Sequence, residues 1–171
     1  MLTIRKAILR DVDPLSELAC RTYVDAFGHS FLAADLKNHL EVHLSPENIR
    51  RIHEKDTVLL AEIDHQMVGF CQFGQASDFP DTDQDSDGVI KRLYVLRGYQ
   101  NQGIGSLLMK AALDQMRAEK FQRVFLDVWE HNPGAIRFYQ RFGFEVVGKK
   151  PFAVASGIAT SDDLVMMFQL Q

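Results

Sequence analysis

Residues 89–105 read VIKRLYVLRGYQNQGIG, a β-rich run that leads into a loop with two glycines. From Gly105 to about Glu119, apolar residues recur at helical spacing and predict an amphipathic helix directly after the loop. Glycines allow a sharp turn and leave the amide N–H groups of the loop unobstructed. A helix that follows adds its own unbonded N–H groups and the positive end of its dipole. The pattern indicates either a cradle for a phosphate or pyrophosphate, or only a tight strand-to-helix turn.

Two common phosphate-binding loops do not fit this stretch. The third glycine of a dinucleotide-binding G-x-G-x-x-G pattern would fall at Leu108. The Lys-Ser/Thr pair of a P-loop is also missing from it.

A second pattern lies further along, where Asn132 and Pro133 predict the start of a helix that extends to about Phe142. Asn132 and Tyr139 share one face of such a helix and lie about 10 Å apart along its axis. The capping amide and the phenol can therefore both face one cleft. Alternatively, Asn132 only caps the helix and Tyr139 only packs.

Strands and helices alternate along the chain without a linker or an internal repeat. Asp13-Pro14 and Ser45-Pro46 predict helix starts, and two β-rich runs joined by Asp64-His65 predict an antiparallel hairpin. The predicted strands are 2–8, 57–63, 66–73, 89–96, 123–129, 144–148 and 163–170, and the predicted helices are 14–24, 33–43, one from 45, 105–119 and 132–142. This order predicts an α/β (α+β) fold with a mixed sheet and helices on both faces.

Charge and composition exclude several classes of protein. The chain of 171 residues has 19 Lys and Arg against 23 Asp and Glu, unlike proteins that bind nucleic-acid phosphates. No apolar run reaches the ~20 residues that span a bilayer, and the amino terminus lacks the apolar stretch of a secretory signal. Cys20 and Cys71 allow at most one disulfide. We expect a soluble, cytoplasmic, single-domain protein whose partner is a small molecule, with neither nucleic acid nor membrane.

The order of the two motifs resembles the Gcn5-related N-acetyltransferase (GNAT) superfamily. Its pattern of a strand, Q-x-x-G-x-G, a helix, a strand and N-x-x-A-x-x-F-Y-x-x-x-G-F is matched by Leu93-Tyr-Val, Gln100–Gly105, Asn132, Ala135, Phe138-Tyr139 and Gly143-Phe144. The close match covers about residues 88–148. The resemblance implies one N-acetyltransferase domain over residues 1–171, a mostly antiparallel central sheet, and acetyl-CoA as the acetyl donor.

The resemblance also implies roles for individual residues. The backbone of residues 93–95 would pair with the pantetheine arm of acetyl-CoA, and the amides of residues 102–106 would hold its pyrophosphate. Asn132 would hydrogen-bond the pantetheine, and Tyr139 would protonate the departing thiolate. The implied cofactor-binding residues are Leu93, Tyr94, Val95, Gln100, Asn101, Gln102, Gly103, Ile104, Gly105, Ser106, Asn132, Ala135 and Tyr139, of which Tyr139 is also catalytic.

One departure from the family concerns the general base. Many members carry a glutamate on the strand before the pyrophosphate loop, and Val89 stands at that position here. Asp87, Glu130 and an ordered water chain are the substitutes that the sequence offers. The base therefore stays unassigned.

The acceptor amine is also open. Residues 128–139, VWEHNPGAIRFY, look similar to the bacterial spermidine/spermine N-acetyltransferase group, as do residues 22–27 and 162–166. Five aspartates between 78 and 87 form either a solvated loop or a field that attracts a cationic amine. Related enzymes acetylate amino acids, peptide amino termini and antibiotics instead. The alternative function is an acetyl-CoA sensor without turnover, and dimers are common in the family.

Two metal patterns are incomplete. Asp83-x-Asp85-x-Asp87 matches the first half of a calcium loop, but Tyr94 stands where the bidentate glutamate is needed. His39 and His43 share a predicted helix face without a third ligand. We expect no metal site.

Overall fold

The structure is a computed structural model that describes residues 1–77, 79, 81–151 and 161–170. The strands are β1 (Leu2–Lys6), β2 (Thr57–Ile63), β3 (Gln66–Gln75), β4 (Asp87–Val95), β5 (Arg123–Trp129), β6 (Glu145–Pro151) and β7 (Asp162–Gln169). The helices are α1 (Val12–Phe27), α2 (Ala33–His43), α3 (Pro46–Lys55), α4 (Ile104–Ala118) and α5 (Pro133–Arg141). The chain divides into two compact units, residues 1–74 with 92–115 and residues 75–91 with 116–171. In the described part of the chain, no helix is long and apolar enough to cross a membrane.

The described strands form one sheet in the order β1-β2-β3-β4-β5-β7-β6. The β1–β2, β2–β3, β5–β7 and β6–β7 pairs are antiparallel. β4 and β5 run parallel, with Asp87 opposite Arg123 and Val89 opposite Phe125. Parallel neighbours need a crossover connection, and α4 lies between these two strands in the chain. The predicted α/β (α+β) class, with a mixed and mostly antiparallel sheet, is confirmed.

In the first unit, successive residues of β3 serve opposite faces of the sheet. Phe70 packs in the apolar core that α1 closes with residues such as Leu15. On the other face, a Cβ added to Gly69 would touch Leu108 of α4 and crowd the Tyr94 carbonyl oxygen. Helices therefore cover both faces of this part of the sheet, as the sequence predicts.

Two predicted helix starts had different outcomes. Ser45 caps α3, because its Oγ accepts a hydrogen bond from a backbone N–H in the first turn. Asp13 does not cap α1, which begins at Val12. The Asp11 carboxylate ion-pairs with Arg5 at 2.7 Å and fixes the turn before the helix, so the helix begins earlier than predicted.

The predicted hairpin between β2 and β3 is confirmed. Asp64 and His65 join the strands with φ of 48° and 67°. Two residues with positive φ give a turn whose twist matches that of the flanking strands.

In the second unit, the acidic loop ends in a buried ion pair, and β4 begins at Asp87, two residues before the predicted start of the strand at 89. Asp87, the first residue of β4, is 0% exposed. Its two carboxylate oxygens accept hydrogen bonds from Arg123 at 2.8 and 2.5 Å, and one also accepts the Asp83 N–H. Asp78, another residue of the predicted loop, lies outside the described residues.

β6 stands at one end of the described strand order and pairs only with β7 there. Its pairing register shifts between Val146 and Gly148. Beyond the shift, Lys149 reaches Glu130 at 3.3 Å, and Lys150 forms an ion pair with Asp127.

Candidate active site

The loop between β4 and α4 presents backbone N–H groups to solvent. Residues 100–103 are exposed. Among the described residues, the first hydrogen bond of α4 runs from the Leu107 N–H to the Gly103 carbonyl oxygen. The amides of residues 104–106 therefore lie within the part of the helix that has no intrahelical acceptor. Together with the helix dipole, they favour a bound anion.

The backbone of this loop needs glycine at one position. Gly103 has a φ of 80°, which disfavours residues with a Cβ. A Cβ added to Gly103 would meet no atom within 4 Å, so the space above the loop is open. Asn101 has a φ of 60°, and asparagine tolerates this conformation better than most residues. The loop thus combines a glycine-dependent backbone with open space at Gly103, and its role as a pyrophosphate cradle stays a prediction.

Side chains tie the loop to the residues before it. Gln100 Nε2 donates to the Val95 carbonyl oxygen at 3.0 Å, and Gln102 Nε2 donates to the Gly98 carbonyl oxygen at 3.2 Å. Ile104 is buried and anchors the start of α4. These bonds tie the start of the loop to the end of β4 and to the turn that follows it.

The three predicted pantetheine residues, 93–95, are half-buried at the end of β4. The Tyr94 ring contacts Phe70 and Phe27, with ring centroids 5.9 and 6.4 Å apart. Packing of this ring orients β4. The pairing of the backbone of residues 93–95 with the pantetheine arm stays a prediction.

Asn132 and Tyr139 belong to the second unit. Asn132 Oδ1 accepts the Ala135 N–H at 3.2 Å, so the capping interpretation of Asn132 is confirmed. The Tyr139 ring lies 6.0 Å from that of the buried Phe144, which supports a packing role. Gly143, with a φ of 95°, follows the end of α5 as predicted. Proton donation by the Tyr139 hydroxyl stays a prediction.

Neither carboxylate considered as a base is well placed for that task. Burial opposes ionisation of Asp87, but the hydrogen bonds from Arg123 and the Asp83 N–H, together with the charge of Arg123, outweigh burial and lower the pKa of that carboxyl. The Asp162 N–H donates to Glu130 at 2.8 Å and lowers the pKa of Glu130, with Lys149 adding to the effect. Both carboxylates hold strand ends together.

One carboxyl group with an unusual pKa escaped the sequence predictions. Asp163 on β7 lies opposite Trp129 of β5 and Lys150 of β6 in the sheet register. Burial, and secondly the charge of Asp127, raises the pKa of Asp163 to about 6. A carboxyl group with this pKa exchanges a proton near neutral pH. Sequence periodicity could not reveal it, because the partners come from three strands.

A half-buried arginine also escaped the sequence predictions. In the first unit, Arg92 Nη1 donates to Gln72 Oε1 at 2.5 Å, and Gln72 Nε2 donates to Asp56 Oδ2 at 2.6 Å. Burial lowers the pKa of Arg92. In the described part of the chain, no group of three or more His, Cys, Asp and Glu side chains could hold a metal ion.

The sequence of this chain is similar to those of known acetyltransferases. The model of the acetyltransferase (GNAT) family matches residues 13–144. The spermine/spermidine N(1)-acetyltransferase of Bacillus subtilis is 31% identical over 87 residues, which are 50% of this chain and 57% of that protein. The chain therefore spans little more than half the length of this curated relative. An uncharacterised N-acetyltransferase of Mycobacterium bovis is 26% identical over 95% of this chain and 99% of its own length.

The fold is also similar to that of a solved structure. The PaiA N-acetyltransferase from Thermoplasma acidophilum, in complex with coenzyme A, superposes with a TM-score of 0.80. It is 19% identical in sequence, and the match covers 99% of both chains. This likeness establishes the fold.

We predict that Asp163→Asn stabilises the protein at pH 8. The folded-state pKa of about 6 lies above the ordinary value of 3.8, so the contribution of Asp163 to stability is complete below pH 3.8 and is lost as the pH rises through 6. Two pKa units correspond to about 2.7 kcal/mol, and partial exposure to water reduces the expected gain to about 1 kcal/mol. Urea unfolding of the variant and the native protein at pH 4 and pH 8 measures this difference in the free energy of unfolding.

The matched control is Asp25→Asn, which removes an exposed carboxylate from α1. It should change the free energy of unfolding little at either pH. A variant Asp163→Asn that is less stable than the native protein at pH 8 would contradict the assignment.

Proposed function

This chain belongs to the acetyltransferase (GNAT) family, and we propose that it transfers the acetyl group of acetyl-CoA to a primary amine. The amine would attack the thioester directly, without a covalent intermediate on the protein. The family match at residues 13–144 includes parts of both compact units. We therefore treat residues 1–171 as one N-acetyltransferase domain.

The loop at residues 100–106 is the observation that carries this proposal. The amides of residues 104–106 precede the first hydrogen bond of α4 and lie at the positive end of the helix dipole. The open space above Gly103 leaves room for a ligand. Acetyl-CoA carries a pyrophosphate that suits such a loop, and it supplies the acetyl group as an activated thioester.

The other cofactor contacts follow from the family pattern. The backbone of residues 93–95 would pair with the pantetheine arm. Asn132 would donate its amide N–H to the same arm, which is compatible with its capping role, because only Oδ1 accepts the Ala135 N–H. Capping would then hold the donor in a fixed orientation.

Tyr139 would act as the general acid. A phenol, with an ordinary pKa of about 10, stays protonated at neutral pH and can donate its proton to the departing CoA thiolate. Packing against Phe144 would hold the ring in place for this step. A packing role and a catalytic role are therefore compatible for this residue.

Polyamines are one acceptor class that the relatives suggest for testing. Two relatives from Bacillus subtilis, each 31% identical over 87 residues, are named for spermine, and the net charge of −4 suits a cationic substrate. The acidic loop supports this less than the sequence suggests, because Arg123 neutralises Asp87. We further propose a cytoplasmic location, which the free thiols of Cys20 and Cys71 fit, and a homodimer.

An amine panel tests the activity. Purified protein, acetyl-CoA and single amines, including spermidine, amino acids and simple alkylamines, are mixed and thiol release is followed. Amine-dependent thiol release supports the proposal. Tight acetyl-CoA binding without thiol release from any amine would favour the sensor function instead.

Gly103→Val is expected to weaken acetyl-CoA binding at least tenfold. The side chain would occupy the open space above the loop, and the β-branched residue disfavours the φ of 80°. Isothermal titration measures the affinity. Gly98→Val is the control, because its Cβ also meets no atom within 4 Å and its φ is not positive. Equal acetyl-CoA affinity in both variants and the native protein would refute the cradle.

Tyr139→Phe is expected to lower kcat by about 100-fold, the lower end of the usual contribution of a general acid, with acetyl-CoA affinity unchanged. The ring that packs on Phe144 is kept, so the fold should be preserved. Tyr99→Phe, which removes a phenol from the turn before the loop, serves as the control. If Tyr139→Phe turns over as fast as the native protein, the residue only packs.

A further inference from the structure

Arg92 lies at the polar end of an otherwise apolar sheet face in the first unit. Arg92 and Tyr94 are two residues apart on β4 and therefore point to the same face. Phe70 of β3 packs on Tyr94 there, and Gln72 of β3 accepts the hydrogen bond from Arg92. The same face carries the core that α1 and α3 close. A guanidinium group thus stands at the border of an apolar surface.

A side-chain relay holds Arg92 in this place. Gln72 is 3% exposed, and its amide is fixed at both ends, by Asp56 on one side and Arg92 on the other. Gly74 makes room for the relay, because a Cβ there would overlap the Asp56 carboxylate. Such an arrangement restricts the guanidinium to one orientation.

The relay positions the charge of Arg92 without neutralising it. Among the described residues, no carboxylate lies within ion-pair distance of Arg92. Arg5 and Arg123, by contrast, bond directly to carboxylates: Asp11 and Glu62 for Arg5, and Asp87 for Arg123. The Asp56 carboxylate attracts Arg92, and Gln72 bridges the two through its amide. Arg92 is therefore a half-buried cation whose bond to Gln72 uses Nη1 and leaves the other guanidinium donors for an anion.

A cluster of aromatic rings includes Tyr23, His39 and Tyr94, each of which interacts electrostatically with Arg92. Tyr23 of α1 stacks on His39 of α2 with ring centroids 4.2 Å apart, and Phe27 and Phe31 contact Tyr23 or Tyr94. Burial, followed by His43 and then Arg92, lowers the pKa of His39 to about 4, so His39 is neutral at pH 7. These rings are half-buried and hence partly accessible. They offer an apolar wall beside one positive charge.

We propose that the acceptor amine of this protein carries a carboxylate group, which Arg92 binds, and an apolar or aromatic body, which the wall of Tyr23, Phe27, Phe31, His39 and Tyr94 contacts. The inference rests on the proposed acetyltransferase function and names its substrate class. A guanidinium binds a carboxylate through paired, charge-assisted hydrogen bonds. It repels a polyamine, whose groups are all cationic. The acceptor is thus of the amino-acid type.

Matched pairs of amines test the proposal. Phenylalanine and 2-phenylethylamine differ only in the carboxylate, as do lysine and cadaverine, and spermidine represents the polyamines. We expect kcat/KM to be at least tenfold higher for the acid of each pair. In Arg92→Gln, the preference for the acid, measured as its kcat/KM divided by that of the matched amine, should fall at least tenfold. Arg92→Lys should recover part of this preference. Arg21→Gln, which removes an exposed arginine from α1, should leave the ratio unchanged.

A binding measurement on the native protein needs no turnover, and it does not depend on whether the Arg92 variants fold. Isothermal titration compares N-acetylphenylalanine with N-acetyl-2-phenylethylamine on the CoA-bound native protein. At least tenfold tighter binding of the acid supports the proposal. If the acid binds in this way but no amine is acetylated, the proposed acetyltransferase function fails and the carboxylate site stands. Equal binding of the two N-acetyl compounds overturns the proposal. A kinetic preference for spermidine and the decarboxylated amines overturns it as well, if Arg92→Gln leaves that preference unchanged.

Discussion

The ion pair between Asp87 and Arg123 fixes the start of β4, and the candidate site depends on that register. A fully buried carboxylate is unfavourable unless it is paired and hydrogen-bonded, and Asp87 accepts bonds from Arg123 and from a backbone N–H. Because side chains alternate along a strand, this register sends Arg92 and Tyr94 to one face and Leu93 to the other. A slip of one residue would exchange the two sets.

Local signals in the sequence were sufficient for most of the fold. The two-residue turn at Asp64-His65, the cap at Ser45 and the glycine at 103 each determine the backbone within a few residues. The loop at 100–106 and the cap at Asn132 were likewise predictable, because the residues that shape them are adjacent in the chain. Family resemblance then supplied the roles that spacing alone does not give.

The errors and omissions arise where distant residues meet. Asp13-Pro14 has the pattern of a helix start, but Asp11 forms an ion pair with Arg5 of β1 and moves the start. Arg92 depends on Gln72, 20 residues away, and Asp163 owes its raised pKa to burial in the sheet and to Asp127. No periodicity in one segment reveals such partners. The parts of the site that concern the acceptor and proton transfer were therefore the least predictable.

The register shift in β6 has a consequence for open-ended growth of the sheet from this strand. An edge strand exposes unpaired backbone groups that invite a second chain to extend the sheet. In β6 the shift at 146–148 interrupts the regular ladder, and Lys149, Lys150 and Pro151 follow it with two charges and a residue that lacks an N–H. Val146 and Val147, both about half exposed, would otherwise form a β-branched, aggregation-prone pair. The irregular edge acts as a safeguard against continuous strand addition from another copy.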